Sequence, residues 1–344
     1  MGKIIENNLL SILMPAFNAG KYIKQTIASL LYQEYNNFEL LIYDDASSDN
    51  TLSEIAQFND SRIVVFEGKV NIGVSAARNF LLSKATGEFI SFFDSDDISL
   101  YNKFTYSVSF LNKKSEIDLI GSKTFFINEN SKNILFIKTF ESLSSDDIKA
   151  DLLFNNTFST STIVFRKKII SLIKFDNNIS IAEDYLIFTQ LSEKIKMENI
   201  DKKLVKYRVN SNSLMFKNKD KLKSILDIIH KTLLTNLGIT ASPEVIEIHN
   251  KFLYSNNLSL NYLENNLKLY QAIIKSNDIS HIYKKKSLLN AIRKNWFLKC
   301  LYCSKSNGIS SLSYYFVRFP YHNYSIVVNG SYLLLYYLKK LLKP

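Results

Sequence analysis

Cysteine is almost absent from this 344-residue chain: there are two, Cys300 and Cys303, in a helical-looking run near the end. That excludes a disulfide framework, and with no second pair or histidine cluster nearby it excludes a zinc site. The spacing imitates a redox motif without the strand-to-helix setting such a motif needs, so both are read as unbridged thiols of a cytoplasmic protein. The N-terminus has no long apolar stretch and no small-residue cleavage site. Its short apolar run is broken by Glu6, Asn7 and Asn8, which excludes a secretory signal. The glutamate at residue six, where a serine or threonine would be needed, excludes myristoylation. Internal repeats and long low-complexity tracts are missing as well. Acidic residues are scarce in one part only: residues 217–344 hold 19 Lys and Arg against 6 Asp and Glu, whereas residues 1–216 hold 24 against 26. The net charge of +11 therefore describes a near-neutral body with a basic end.

The hydrophobic content is 46% and the charged content 22%, enough to bury a full core in one large domain or in one domain with an appendage. From Leu9 to about Phe93 short β-branched runs alternate with longer amphipathic ones, the pattern of strand-helix-strand units and a parallel sheet. Strands are expected at Leu10–Met14, Glu39–Tyr43, Ile63–Phe66 and Glu88–Phe93. Tyr22, Ile23, Ile27, Leu30 and Leu31 share one helical face, and a second helix is expected over Val74–Ser83, closed by Gly87. Residues 100–216 mix a helix after Ser99, strands near Asp118–Phe126 and Ser161–Phe165, a helix from about Ile181 and a strand at Lys203–Val209. Beyond Phe216 the pattern turns helical and lysine-rich. The expected division is a body over 1–216, with a ligand-binding part over 1–100 and a second part over 101–216, and a basic helical region over 217–344.

Ligands of open α/β sheets gather outside the carboxyl ends of the strands. Pro15, Ala16, Phe17 and Asn18 follow the first strand, Asp44 and Asp45 the second, and Asp94, Ser95, Asp96 and Asp97 the fourth. Carboxylates gathered at one edge repel one another unless a cation joins them, and oxygen-only chemistry suits Mg2+ or Mn2+. Each acidic segment taken singly equally suits a turn or a helix cap, and Arg78 equally suits a surface ion pair. It is their joint occurrence with Pro15–Asn18 that points to a ligand site.

The run SILMPAFNAGKYIKQTIASLLYQEYNNFELLIYDDASSDNT, followed by NIGVSAARNFLLSKATGEFISFFDSDD, resembles the nucleotide-binding half of the inverting family-two glycosyltransferases with the GT-A fold. The likeness is close from Ser11 to about Leu100 and looser at AEDYLIFTQL and YRVNSNSL. It implies a Rossmann-like, mostly parallel sheet with flanking helices, followed by the C-terminal helical region. It also implies that Pro15 and Phe17, with Asn18, flank a base, uracil in the first instance, and that Asp45 accepts the ring hydrogen bond. Arg78 would approach the base or phosphates, Asp94 with Ser95 the ribose or the metal's water shell, and Asp96 would be the direct ligand of Mn2+ or Mg2+. Inversion needs one base for the acceptor hydroxyl; Asp184 is nominated, with Glu183 as substitute. Ser180 and Glu183 also fit a capping box, which would leave Glu183 at the helix start. Family members often carry a histidine where Asn210 stands, so the closing loop would rely on Arg208, Asn212 and Ser213, with Arg208 facing the phosphates. An alternative leaves Tyr207 and Arg208 merely finishing a strand.

The implied activity is metal-dependent transfer from a nucleotide-sugar to a saccharide or lipid-linked acceptor, in the making of a bacterial-type surface polysaccharide such as lipopolysaccharide or capsule. Two rivals stand beside it. A sugar nucleotidyltransferase would carry a glycine-rich basic phosphate loop, of which PAFNAGKY is a poor version. The other is a non-catalytic protein that binds a nucleotide-sugar or a membrane, suggested by the basic end; a nucleic-acid module of that kind would show interleaved aromatic and basic residues, which are not recognisable here. Residues 324–343, apolar and then basic, are too short and broken to span a bilayer and suit either peripheral contact with the inner face of the cytoplasmic membrane or packing on the body. The basic cluster Lys284–Lys286 with Arg293, Lys294 and Lys299 belongs with that surface.

Overall fold

The computed structural model describes residues 8–134, 144–210, 218–254 and 258–307. Asn212, Ser213 and the segment 324–343 lie outside the described residues. The described residues fall in two compact units, the first within Met1–Ile148 and Asn156–Asn218, the second within Lys149–Asn155 and Lys219–Pro344.

In the first unit, β1 (Leu10–Ala16), β2 (Phe38–Asp44), β3 (Ile63–Glu67) and β4 (Phe89–Phe92) form a parallel half-sheet in the order β3-β2-β1-β4. β1 reads LSILMPA and is buried almost throughout, because a central parallel strand is covered on both faces. The helix α1 (Ile23–Leu31) turns Ile23, Ile27 and Leu30 inward at helical spacing. The short helix α2 (Thr51–Ile55) follows β2, and α3 (Val74–Lys84) follows β3. α3 stops before Ala85, and Gly87 has a different task from the expected helix stop: a Cβ there would stand 2.6 Å from the amide nitrogen of Ser11. Only a glycine lets that turn close on β1.

The other half of the sheet is mixed. It runs on from β4 through β8 (Val164–Arg166), β6 (Leu119–Ile127), β9 (Met197–Arg208) and β5 (Ile98–Ser99). β8 is antiparallel to both β4 and β6, β9 is parallel to β6, β5 is antiparallel to β9, and β7 (Asn133–Ile134) adds to β6. The helices α4 (Lys103–Lys113), α5 (Ser145–Asp151) and α6 (Glu183–Leu191) belong to this stretch of chain. The strand expected at Ser161–Phe165 begins only at Val164. Thr160–Thr162 is a 3-10 turn in which the Thr162 hydroxyl bonds the Ser159 carbonyl, a local bond that competes with extended backbone.

The second unit contains α7 (Lys219–Asn236), α8 (Pro243–Tyr254), α9 (Leu260–Ser280) and α10 (Lys285–Asn307). Lys149–Asn155, which the sequence placed in the body, belongs here: the Phe154 ring packs on His249 and Tyr270, and the His249 imidazole bonds the Leu153 carbonyl at 2.9 Å. Lys299, grouped above with surface lysines, is fully buried. Its ammonium donates to Asn266 Oδ1 at 2.6 Å and to the His249 carbonyl at 3.2 Å, among the rings of Tyr262, Tyr270 and Phe252. Cys300 and Cys303 are buried and unbridged. Among the described residues, no helix is long and apolar enough to cross a membrane.

Candidate functional site

The carboxyl ends of β1 and β4 open on a cleft of about 410 Å³ lined by Pro15, Phe17, Asn18, Ala19, Lys21, Tyr22, Val74, Asp94, Ser95, Asp96, Glu129 and Asn210. Phe17 is 51% exposed, an unusual position for a phenylalanine and a ready face for a planar ligand. Asn18 sits in left-handed backbone with φ of 47°, and its side chain ties two strand ends together. Its Oδ1 accepts from the Ser48 amide at 2.9 Å while its own amide donates to Ser47 Oγ at 2.9 Å. Asparagine tolerates that backbone region better than most residues.

Asp45 stands one strand over, buried, with its amide on the Ala16 carbonyl. It is not among the residues lining the cleft. Both of its carboxylate oxygens accept main-chain N–H groups at the entry to α3, from Ile72 at 2.7 Å and Gly73 at 2.9 Å. Asp44 accepts from Ser47, and Asp49 accepts from Thr51 and Gly20, so the turn-and-cap reading of Asp44–Asp49 describes those two residues well.

Asp94, Ser95 and Asp96 form one wall of the cleft. The Thr26 hydroxyl on α1 bonds the carbonyls of Ser95 and Asp97 at 3.0 and 2.8 Å, fixing the bend that lets Asp94 and Asp96 share the opening. Burial pushes the Asp96 carboxyl up to about 6, with the neighbouring Asp94 adding to the rise and Arg208 opposing it. Asp97 is fully buried, accepts the Arg208 amide, and is held well above the usual carboxylate range by burial and by Asp96 and Asp94. The cleft supplies carboxylate oxygens and no sulfur or imidazole, a donor set suited to a hard divalent ion that keeps water and phosphate as its other ligands. Among the described residues, no group of three or more His, Cys, Asp or Glu comes together to hold a metal.

Neither of the two arginines nominated for phosphate lines the cleft, though each bonds a residue that does. Arg78, buried in α3, bridges Asp94 Oδ1 at 3.0 Å and the Glu183 carboxylate. Burial opposes its charge, but Glu183, Asp94 and Asp184 outweigh burial and raise its pKa. For Glu183 and Asp94 burial is the larger effect, and it raises both despite the guanidinium between them. Arg208 is likewise buried. Its guanidinium donates to the carbonyls of Asp96, Asn128 and Glu129, to Ser131 Oγ and to Gln25 Oε1, and lies 4.4 Å from the Tyr22 ring. An arginine with that many protein acceptors holds the site's frame rather than a phosphate.

The nominated bases separate. α6 starts at Glu183 with Ala182 as its N-cap residue and no side-chain cap, so the expected Ser180–Glu183 capping box does not form and Glu183 turns to Arg78. Asp184 accepts from Asn156 Nδ2 at 3.0 Å, from the Thr160 hydroxyl at 3.2 Å and from the Tyr185 amide at 2.7 Å. Thr160 stands next to Ser161, whose hydroxyl accepts the Asp94 amide at 3.0 Å, which puts Asp184 at the same end of the sheet. Sequence reasoning missed Asn156 and Thr160, whose polar run NNTFST was the available signal, and also Lys21, Tyr22 and Glu129 on the cleft wall.

Residues 11–172 match the family described as Glycosyl transferase family 2. The chain is 42% identical over 127 residues to UDP-Glc:alpha-D-GlcNAc-diphosphoundecaprenol beta-1,3-glucosyltransferase WfgD of Escherichia coli, covering 37% of this chain and 50% of that protein. It thus spans about half the length of that relative. A protein of the same printed activity, WfaP of Escherichia coli, is 30% identical over 246 residues, 69% of this chain and 90% of that protein. Among solved structures, mannosyltransferase PcManGT from Pyrobaculum calidifontis, in complex with GDP-Man and Mn2+, superposes with a TM-score of 0.55 at 14% identity, over 90% of this chain and 86% of that one. At that identity the likeness establishes the fold.

Proposed function

Because this chain belongs to glycosyltransferase family 2, we propose that it transfers a sugar from a nucleotide-sugar, a UDP-sugar, to a lipid-linked saccharide with inversion at the anomeric carbon. The observation that carries this reading is the cleft at the strand ends, where Asp94 and Asp96 face Pro15, Phe17 and Asn18. Phe17 and Pro15 cover the base, and Asp45, two of whose lone pairs are taken by Ile72 and Gly73, offers its remaining ones to a ring N–H. Asp96, with Asp94 beside it, would hold Mn2+ or Mg2+, which supplies charge neutralisation to the departing diphosphate. The relatives' printed substrates, UDP-Glc and GlcNAc-diphosphoundecaprenol, support a uridine donor and an acceptor presented at a membrane surface, in polysaccharide assembly.

In the reaction the anomeric C–O bond to the diphosphate breaks, the diphosphate keeps the electron pair, and the acceptor oxygen bonds the opposite face of the sugar. Asp184 takes the acceptor's proton. Asn156, Thr160 and the Tyr185 amide fix its orientation. Glu183 is committed to Arg78 and serves with it as the clamp that places Asp94. The test is release of nucleoside diphosphate over a panel of nucleotide-sugars, with and without Mn2+. Asp184→Asn is expected to lower turnover by about 10²- to 10⁴-fold with nucleotide affinity unchanged. Full turnover in that variant, with loss in Glu183→Gln, would transfer the base role to Glu183.

A further inference from the structure

We propose that Lys21 is the cation that grips the donor's diphosphate, and that Glu129 holds it in reserve until the donor arrives. Among the described residues lining the cleft, Lys21 is the one cationic side chain. The two arginines nearest the opening are occupied, Arg78 by Asp94 and Glu183 and Arg208 by three neighbouring segments, and each is 3% exposed. Lys21 is different in kind. Its ammonium is 3.2 Å from Glu129, with the two side chains 62% and 35% exposed, and both line the cleft. An exposed pair of this sort is cheap to exchange.

The geometry makes the exchange a movement of side chains. The carbonyl of Glu129 is held by Arg208 at 3.3 Å, so the turn carrying it stays in place when the ion pair opens. The Tyr22 ring, 4.9 Å from the ammonium, gives Lys21 a second anchor at the cleft wall. Electrostatics sets the direction. With Asp94, Asp96 and Glu129 against Lys21, the cleft carries an excess of negative charge that repels a diphosphate. Turning Lys21 from Glu129 to the phosphates replaces a solvent-screened pair with a charge-assisted contact to a doubly charged group.

This inference rests on the function proposed above, and a double-mutant cycle read by titration calorimetry separates the two. The ligands are whichever of UDP and GDP the wild type binds in the presence of Mn2+, and the matching nucleoside, which has no phosphate. Lys21→Ala is expected to weaken the diphosphate roughly ten-fold and to leave the nucleoside unchanged. Glu129→Gln is expected to tighten the diphosphate several-fold in the wild-type background and to change it less than about two-fold in the Lys21→Ala background. Diphosphate affinity of Lys21→Ala within about two-fold of wild type overturns the inference while the proposed function stands. An equal gain from Glu129→Gln in both backgrounds overturns it too, because Glu129 would then repel the anion directly. Wild type that binds neither diphosphate removes the proposed function and this inference together.

Discussion

The two units bury charge in opposite ways. In the first, Arg78 in α3 and Arg208 at the end of β9 are buried beside an opening, and each bonds a residue that lines it. In the second, Lys299, His230, His249 and Asn266 are shut within helices, and the Lys299 ammonium is matched to a carbonyl, an amide oxygen and ring faces. Burial disturbs titration in both places. It pushes Asp96 up to about 6 and Lys299 down to about 7. A disturbed pKa therefore signals chemistry only where a ligand can reach the group; elsewhere it records the strain of keeping a charge away from water.

The largest test of this contrast is Arg78→Ala. Removing the cation leaves Glu183 and Asp94 without their partner, and hydrogen exchange of the α3 and α6 amides should report a loss of about 3–5 kcal/mol. A loss below about 1 kcal/mol would mean that the bridge is not what holds those carboxylates. Next in size is the pH response of the second unit, read by Trp296, the chain's single tryptophan, buried in α10. The Lys299 amine is pushed down to about 7 by burial. Between there and its unfolded value of about 10.4 the unfolded chain binds the extra proton, so stability rises with pH by about 1.4 kcal/mol per pH unit. Burial pushes the Cys300 thiol up, and above about 8.5 its unfolded form releases a proton that the folded form keeps, which cancels the rise. The unit should gain about 2 kcal/mol from pH 7 to 8.5 and then level off. Lys299→Met should abolish the gain, and a gain that survives the substitution would refute the assignment. The smallest effect belongs to Arg208→Lys, which keeps the charge and loses the fork. A loss of about 1–2 kcal/mol in denaturant unfolding is expected, with nucleotide affinity weakened less than in Lys21→Ala.

The legible part of the fold was the part governed by local pattern. β1, β2 and β4 announce themselves as apolar runs because they are buried on both faces, and α1 by its inward stripe of Ile23, Ile27 and Leu30. The two-residue strands β5 and β7 and the five-residue α2 are too short to show a period. The same limit applies to the site. The spacing of Asp94 and Asp96 is local, and so is their placement at a strand end. The duties of Arg78 and Arg208 depend on Glu183 and Asp96, more than a hundred residues away, and no short motif records a partner at that distance. Lys299 was misread for the same reason, since a lysine among lysines looks solvated until the helices that enclose it are in place.

Arg208 takes hold of the polypeptide mostly by main-chain oxygens, those of Asp96, Asn128 and Glu129. Every amino acid provides such an oxygen. Position 129 can accordingly exchange its side chain over evolutionary time without loosening the wall it belongs to, while Asn128, whose Oδ1 accepts the amides of Asn130 and Lys132, keeps the turn. Selection for a new acceptor could rewrite that rim residue by residue while the catalytic frame beneath it stays the same.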